Sequence, residues 1–167
     1  FTHWGKQFWQ FAGGYLSPRR SIKPLLFFLL IVAMTLVSVR ISLVHSEWYN
    51  NMYTSLQEFN EPVFWDQMVL FCVIATSSVI AALLSYYLEQ RFSIDWIEWL
   101  NGQLVDKWMN NRAYYKTQYV SANLDNPDQR IQQDVQSYVR TTLSLSTGVI
   151  DAVTSMISYT ILLWGLA

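Results

Sequence analysis

Three apolar runs, at residues 25–44, 68–88 and 141–164, are each long enough for a helix to cross the hydrocarbon core of a bilayer, about 30 Å at 1.5 Å per residue. The first carries Arg40 as its one charge, the second carries none, and the third carries only Asp151. Any one of them alone would suit a buried core helix. Three in a chain of 167 residues that is 52% hydrophobic and 14% charged describe an all-α membrane protein. The first run is too long and lies too far into the chain for a cleaved leader, and it lacks a small-residue cleavage site.

Several kinds of chemistry find no support. Eleven Lys and Arg against twelve Asp and Glu leave a net charge of -1, so no basic field exists to hold a nucleic-acid backbone, and nucleic acid is not an expected partner. Cys72 is the one cysteine, and His3 and His45 have no companions at ligand spacing, so neither a disulfide nor a metal site is expected. There is no Ser/His/Asp order and no phosphate-binding loop; Gly5-Lys6 lacks the upstream glycine and the following hydroxyl residue. No catalytic, cofactor-binding or metal-ligating residue is assigned, and this segment is not expected to be an enzyme by itself. The absence of an initial Met and the apolar run at the other end suggest a piece of a longer chain.

Basic residues set the expected orientation. Lys6, Arg19, Arg20 and Lys23 precede the first run, and Arg91, Lys107, Arg112, Lys116, Arg130 and Arg140 lie between the second and third. The connection at residues 45–67 has no Lys or Arg. The positive-inside rule therefore puts the N-terminus and the second connection in the cytoplasm and the first connection outside, with Trp48, Tyr49, Tyr53, Phe64 and Trp65 in the outer aromatic belt. Before the first span, Trp4, Phe8, Phe11 and Tyr15 repeat at helical spacing up to Gly13-Gly14 or soon after. A helix over residues 1–17 lying in the inner interface is one reading, and the frayed end of a preceding span is the other.

Two of the helices outgrow the bilayer. Between Pro62 and Pro127 there is no proline and one glycine, Gly102, so the second helix is expected from about residue 64 to 115. Its apolar face continues through Phe92, Trp96, Trp99, Leu100, Leu104 and Trp108. Asn126-Pro127-Asp128-Gln129 then reads as a helix start, with Asn126 as N-cap, Pro127 at the first position, Asp128 favourable to the macrodipole and Gln129 at the capping-box position. The third helix would run over 127–167 as an intracellular helix followed by a span. The result is a helical hairpin with its tip outside the membrane, either a lever for a protein gripping the tip or a stiff stalk.

Polar residues inside the third span form one face: Ser144, Thr147, Asp151, Thr154, Ser155 and Ser158, opposite Val149, Val153 and Met156. Ser144, Thr147, Asp151, Thr154 and Ser158 are the candidates for lining a polar cavity, since an ionisable residue at membrane depth ordinarily faces one. Packing of helices through small and hydroxyl residues is the competing reading. Arg40, near the outer end of the first span and turned away from Thr35, Ser38 and Ser42, suits snorkelling to headgroups or a structural pair.

The run Tyr87-Leu88-Glu89-Gln90-Arg91-Phe92, the segment Arg112-Ala113-Tyr114-Tyr115 and the block from Asp125-Asn126-Pro127-Asp128-Gln129-Arg130 to Ile131-Gln132-Gln133-Asp134-Val135 resemble one family. It is the transmembrane domain of ABC transporters related to the BacA/SbmA peptide importers and the peroxisomal acyl-CoA half-transporters. Within it, the sequence is most similar to the ATP-driven YddA-type branch, which includes the mycobacterial importer of vitamin B12 and antimicrobial peptides. Trp4-Gly5-Lys6-Gln7-Phe8-Trp9 and Asn51-Met52-Tyr53-Thr54-Ser55-Leu56-Gln57 fit that branch too. The resemblance implies an exporter-type fold, of which this chain holds the elbow helix at 1–17, span 1 at 25–44, span 2 with its cytoplasmic extension at 64–115, and span 3 within 127–167. It implies a homodimer around a polar cavity and a nucleotide-binding domain in the same polypeptide, using ATP and magnesium, which makes the whole protein an ATPase. Asn126, Pro127, Asp128, Gln129, Arg130 and Asp134 would touch that domain. The expected role is the permease portion of a transporter for peptides or corrinoid-like solutes, multi-pass in a bacterial inner membrane. The alternatives are a proton-coupled SbmA-like permease and a membrane scaffold that transports nothing.

Overall fold

The computed structural model describes residues 13–16, 22–110 and 127–166, and these are helical except for a turn at 58–60. Residues 13–16 make one helical turn. Three long helices follow: α1 at Ile22–Gln57, α2 at Glu61–Asn110 and α3 at Pro127–Leu166. They have 36, 50 and 40 residues, or about 54, 75 and 60 Å at 1.5 Å per residue. All three are long and apolar enough to cross a membrane. Of the expected interfacial helix, residues 1–12 and 17 lie outside the described residues, as do 111–115 of the second helix, Asn126 and residue 167.

The first connection is far shorter than its polarity suggested. Residues 45–67 are helix apart from 58–60, because nothing between Pro24 and Pro62 breaks a helix: there is neither proline nor glycine in that interval. Apolar residues thin out after Val44, and α1 continues unbroken to Gln57.

The turn itself is fully bonded. Asn60 N donates to Ser55 O at 3.0 Å and Phe59 N to Leu56 O at 3.4 Å, the paired bonds of a Schellman closure. Phe59 takes the left-handed conformation this closure needs, with φ 53°. Asn60 then caps α2, its Oδ1 accepting from Val63 N at 3.4 Å. A non-glycine residue strains at that φ, so Phe59→Gly should raise the stability of the intact protein by about 1 kcal/mol, read from thermal unfolding in detergent.

The chain forms two compact units, one joining Phe1–Phe28 with Glu89–Leu145 and the other joining Leu29–Leu88 with Ser146–Ala167. The first is built on buried rows at four-residue spacing: Phe92, Trp96 and Leu100 on α2, and Val135, Val139 and Leu143 on α3. Tyr15 completes it, stacked on Trp96 at 5.6 Å and edge-on to Phe92 at 5.6 Å. Gly14 does not end its helical turn. It permits close approach, since a Cβ there would lie 3.3 Å from Cη2 of Trp99.

In the second unit, Ile31 and Val39 of α1 and Ile74 and Ala81 of α2 are buried. Trp48 Nε1 donates to Gln67 O at 2.7 Å and its ring lies 4.9 Å from that of Phe71. Leu83, Val69, Val73, Ile161 and Leu163 are each at least 60% exposed, an apolar surface that water would not tolerate and lipid or further helices would cover. Several hydroxyls of this unit close onto their own helices, whereas the buried Ser85 Oγ has no partner among the described residues. Thr35, Ser38, Ser42 and Ser46 donate to the carbonyls four residues back at 3.0–3.1 Å, as does Thr76 at 2.7 Å. In a medium without water this satisfies each donor locally.

Candidate functional site

The first group of candidate residues lies at the start of α3. Pro127 and Asp128 form its opening backbone turn, where a fixed proline φ and an acidic residue both favour a helix beginning. Gln129, Arg130 and Asp134 are exposed. Arg130 Nε and Asp134 Oδ2 lie 3.9 Å apart, with side chains 70% and 76% exposed. An ion pair this open contributes at most about 0.5 kcal/mol, so these charges are not what holds the helix together. They are a surface available for contact.

Behind that surface the two helices of the hairpin meet through apolar and aromatic side chains. A cavity of about 250 Å³ lies among Leu100, Leu104, Ile131, Asp134, Val135 and Tyr138, and the rings of Trp96 and Tyr138 meet edge to face at 6.1 Å. Burial pushes the Tyr138 phenol above its ordinary pKa, with a partly offsetting hydrogen bond to Thr142. Tyr138 thus stays neutral across the physiological range and acts as packing.

The second group follows α3 into its apolar part. A rotation of 100° per residue puts Ser144, Thr147, Asp151, Thr154, Ser155 and Ser158 within a sector about 100° wide. Thr147, Thr154 and Ser158 are half-buried, whereas Ser144 and Asp151 are exposed. The helix therefore presents one polar stripe with a carboxylate near its middle. The cavities described for this chain are lined by other residues.

Arg40 lies elsewhere. It opens onto a groove of about 430 Å³ whose other walls are Leu36, Val37, Ile41, Val44, Leu70, Val73, Ile74 and Ser77. No acid lines the groove, and α1 runs on to Gln57, about 25 Å beyond Arg40. Three charges at the border of the apolar band line one cavity that no local motif marks: Lys23 on α1, and Arg91 with Asp95 on α2. Their signal was positional, since Lys23 stands two residues before the first apolar run and Arg91 three residues after the second.

Comparison with known proteins agrees with this architecture. Residues 12–167 match the family ABC transporter transmembrane region 2. An ABC transporter ATP-binding protein of Haemophilus influenzae is 87% identical over the whole chain, which covers 28% of that relative's length. The inner membrane ABC transporter ATP-binding protein YddA of Escherichia coli is 31% identical over 83% of the chain and 25% of its own length. The human lysosomal cobalamin transporter ABCD4 is 27% identical over 87% of the chain and 24% of its own length. The chain thus spans about a quarter of the length of the relatives it matches. By the extent of the family match and the three membrane-length helices, it belongs to the transmembrane region of ABC transporters, as a multi-pass membrane segment.

Proposed function

We propose that this chain forms the beginning of the permease of an ATP-driven transporter that moves hydrophilic or amphipathic solutes, such as peptides or corrinoid-like compounds, by alternating access. One observation carries the reading: α2 has 50 residues and α3 has 40, roughly twice what a bilayer about 30 Å thick requires. Their surplus packs into one unit of buried aromatic and aliphatic rows. Such a hairpin suits the transfer of motion from a nucleotide-binding domain of the same polypeptide, which would bind ATP and magnesium, through Asn126, Pro127, Asp128, Gln129, Arg130 and Asp134. The basic residues flanking the spans favour a cytoplasmic hairpin tip, and the likeness to YddA favours a bacterial inner membrane. The likeness to a cobalamin transporter supports corrinoids as one substrate class.

A path for a large solute needs more walls than three helices supply, so a second copy and further spans would close the cavity. In that cavity the stripe Ser144, Thr147, Asp151, Thr154 and Ser158 would face the solute. Uptake of cobalamin or a cationic peptide into proteoliposomes holding the intact protein tests the proposal. It expects uptake that requires ATP and magnesium and ignores a proton gradient. Uptake driven by the gradient alone would point to the proton-coupled alternative, and none under either condition to a scaffold. Asp151→Asn, which keeps shape and removes the titrating group, should leave ATP-driven uptake within about twofold of the parent while abolishing any uptake driven by protons.

A further inference from the structure

The border of the apolar band holds a site that the transport reading does not use. A cavity of about 480 Å³ is lined by Tyr15, Lys23, Pro24, Phe27, Arg91, Phe92 and Asp95. It lies within one compact unit, where α1 and α2 are brought together by the Phe28 and Phe92 rings at 6.0 Å. Lys23 is two residues outside the apolar run that begins at Leu25, and Arg91 three residues outside the run that ends at Leu88. Both cations therefore sit about 3 to 5 Å beyond the hydrocarbon edge, the depth of lipid phosphates and glycerol esters.

Arg91 Nε is 3.7 Å from Asp95 Oδ2, a loose contact between side chains 55% and 40% exposed. The lining carries two cations, Lys23 and Arg91, and one carboxylate, Asp95. The walls match an amphipathic ligand: Pro24, Phe27 and Phe92 are apolar, and the Tyr15 ring is stacked on Trp96 with planes 8° apart. Basic pockets between membrane helices at this depth take anionic headgroups, and a guanidinium beside an ammonium suits phosphate oxygens in particular. A soluble anion would gain the charge but not the apolar walls.

We propose that Lys23 and Arg91 hold the phosphate of an anionic phospholipid headgroup in this cavity, with its glycerol and upper acyl chain against Phe27 and Phe92. The inference requires only that the helices lie in a membrane, and its test does not depend on what is transported. The intact protein is purified in detergent and its retained lipid counted by native mass spectrometry. The probes are phosphatidylglycerol, phosphatidylcholine and millimolar inorganic phosphate. Phosphatidylglycerol should be retained in preference to phosphatidylcholine and should resist displacement by phosphate. Lys23→Gln with Arg91→Gln should weaken its retention about 30-fold, at roughly fivefold per cation near a membrane surface. Asp95→Asn should strengthen it several-fold, a gain that a merely damaged protein would not show. Equal retention of both lipids, displacement by inorganic phosphate, or retention unmoved by either set of substitutions would overturn the proposal.

Discussion

Val139→Asp should leave the intact protein unable to keep its hairpin closed, with solute uptake lost and trypsin cutting along α2 and α3 where the parent resists. Val139 has no exposed surface and is the most deeply buried side chain of α3. Its removal forfeits about 1.5–3 kcal/mol of apolar burial. An aspartate in its place either stays charged in a low-dielectric site or takes up a proton to avoid doing so, and each route adds several kcal/mol. The total, above about 4 kcal/mol, is a large part of what an ordinary domain has to lose. Val139→Ile, which keeps the apolar character and adds one methylene, separates charge from packing and should cost no more than about 1–3 kcal/mol. Protease resistance unchanged in Val139→Asp would mean that these helix extensions do not pack on one another in the working protein.

The second large effect concerns communication rather than folding. Charge reversal at both Asp128 and Asp134 should lower ATP-driven uptake at least about tenfold, while the intact protein still folds, inserts and hydrolyses ATP. Asp134 is three-quarters exposed and Asp128 belongs to the opening turn of α3. Stability should therefore change only by the loss of favourable macrodipole and side-chain interactions, about 0.3–1 kcal/mol each. A tenfold loss of transport from so small a change in stability would show that the tip carries the signal from the nucleotide-binding domain. Uptake equal to the parent would remove the hairpin from the coupling path, whatever the transporter carries.

The contrast between α1 and α2 explains what was readable beforehand. For α2 the lack of proline between Pro62 and Pro127 outweighed the fading of the apolar pattern, and the helix runs on to Asn110. The same criterion applied to Pro24 and Pro62 gives α1 its full length; hydropathy instead suggested a stop near Val44, because it reports the solvent around a helix and not the helix itself. The start of α3 at Pro127 was visible through an asparagine followed by proline, and Asn60-Glu61-Pro62 carries a related signal at the start of α2. Nothing local announces Phe59 in a left-handed conformation, which the Schellman closure imposes on whichever residue falls there.

The candidate sites divide in the same way. The polar stripe on α3 comes from the periodicity of one helix, and the sequence is enough to draw it. The cavity at Lys23 and Arg91 depends on residues from two helices and on Tyr15, separated along the chain by up to eighty positions. Periodicity cannot join them. Only the depth of each charge relative to its own apolar run hinted that they share a level.

The hydroxyl ladder of α1 has a mechanical meaning. Thr35, Ser38, Ser42 and Ser46 each spend their proton on a carbonyl of the same helix, so no directional bond from these side chains latches α1 to a neighbour. Were adjacent spans to slide or roll, these four side chains would have no bond to a neighbour to break or to find again. Resistance from that edge would then come from dispersion alone.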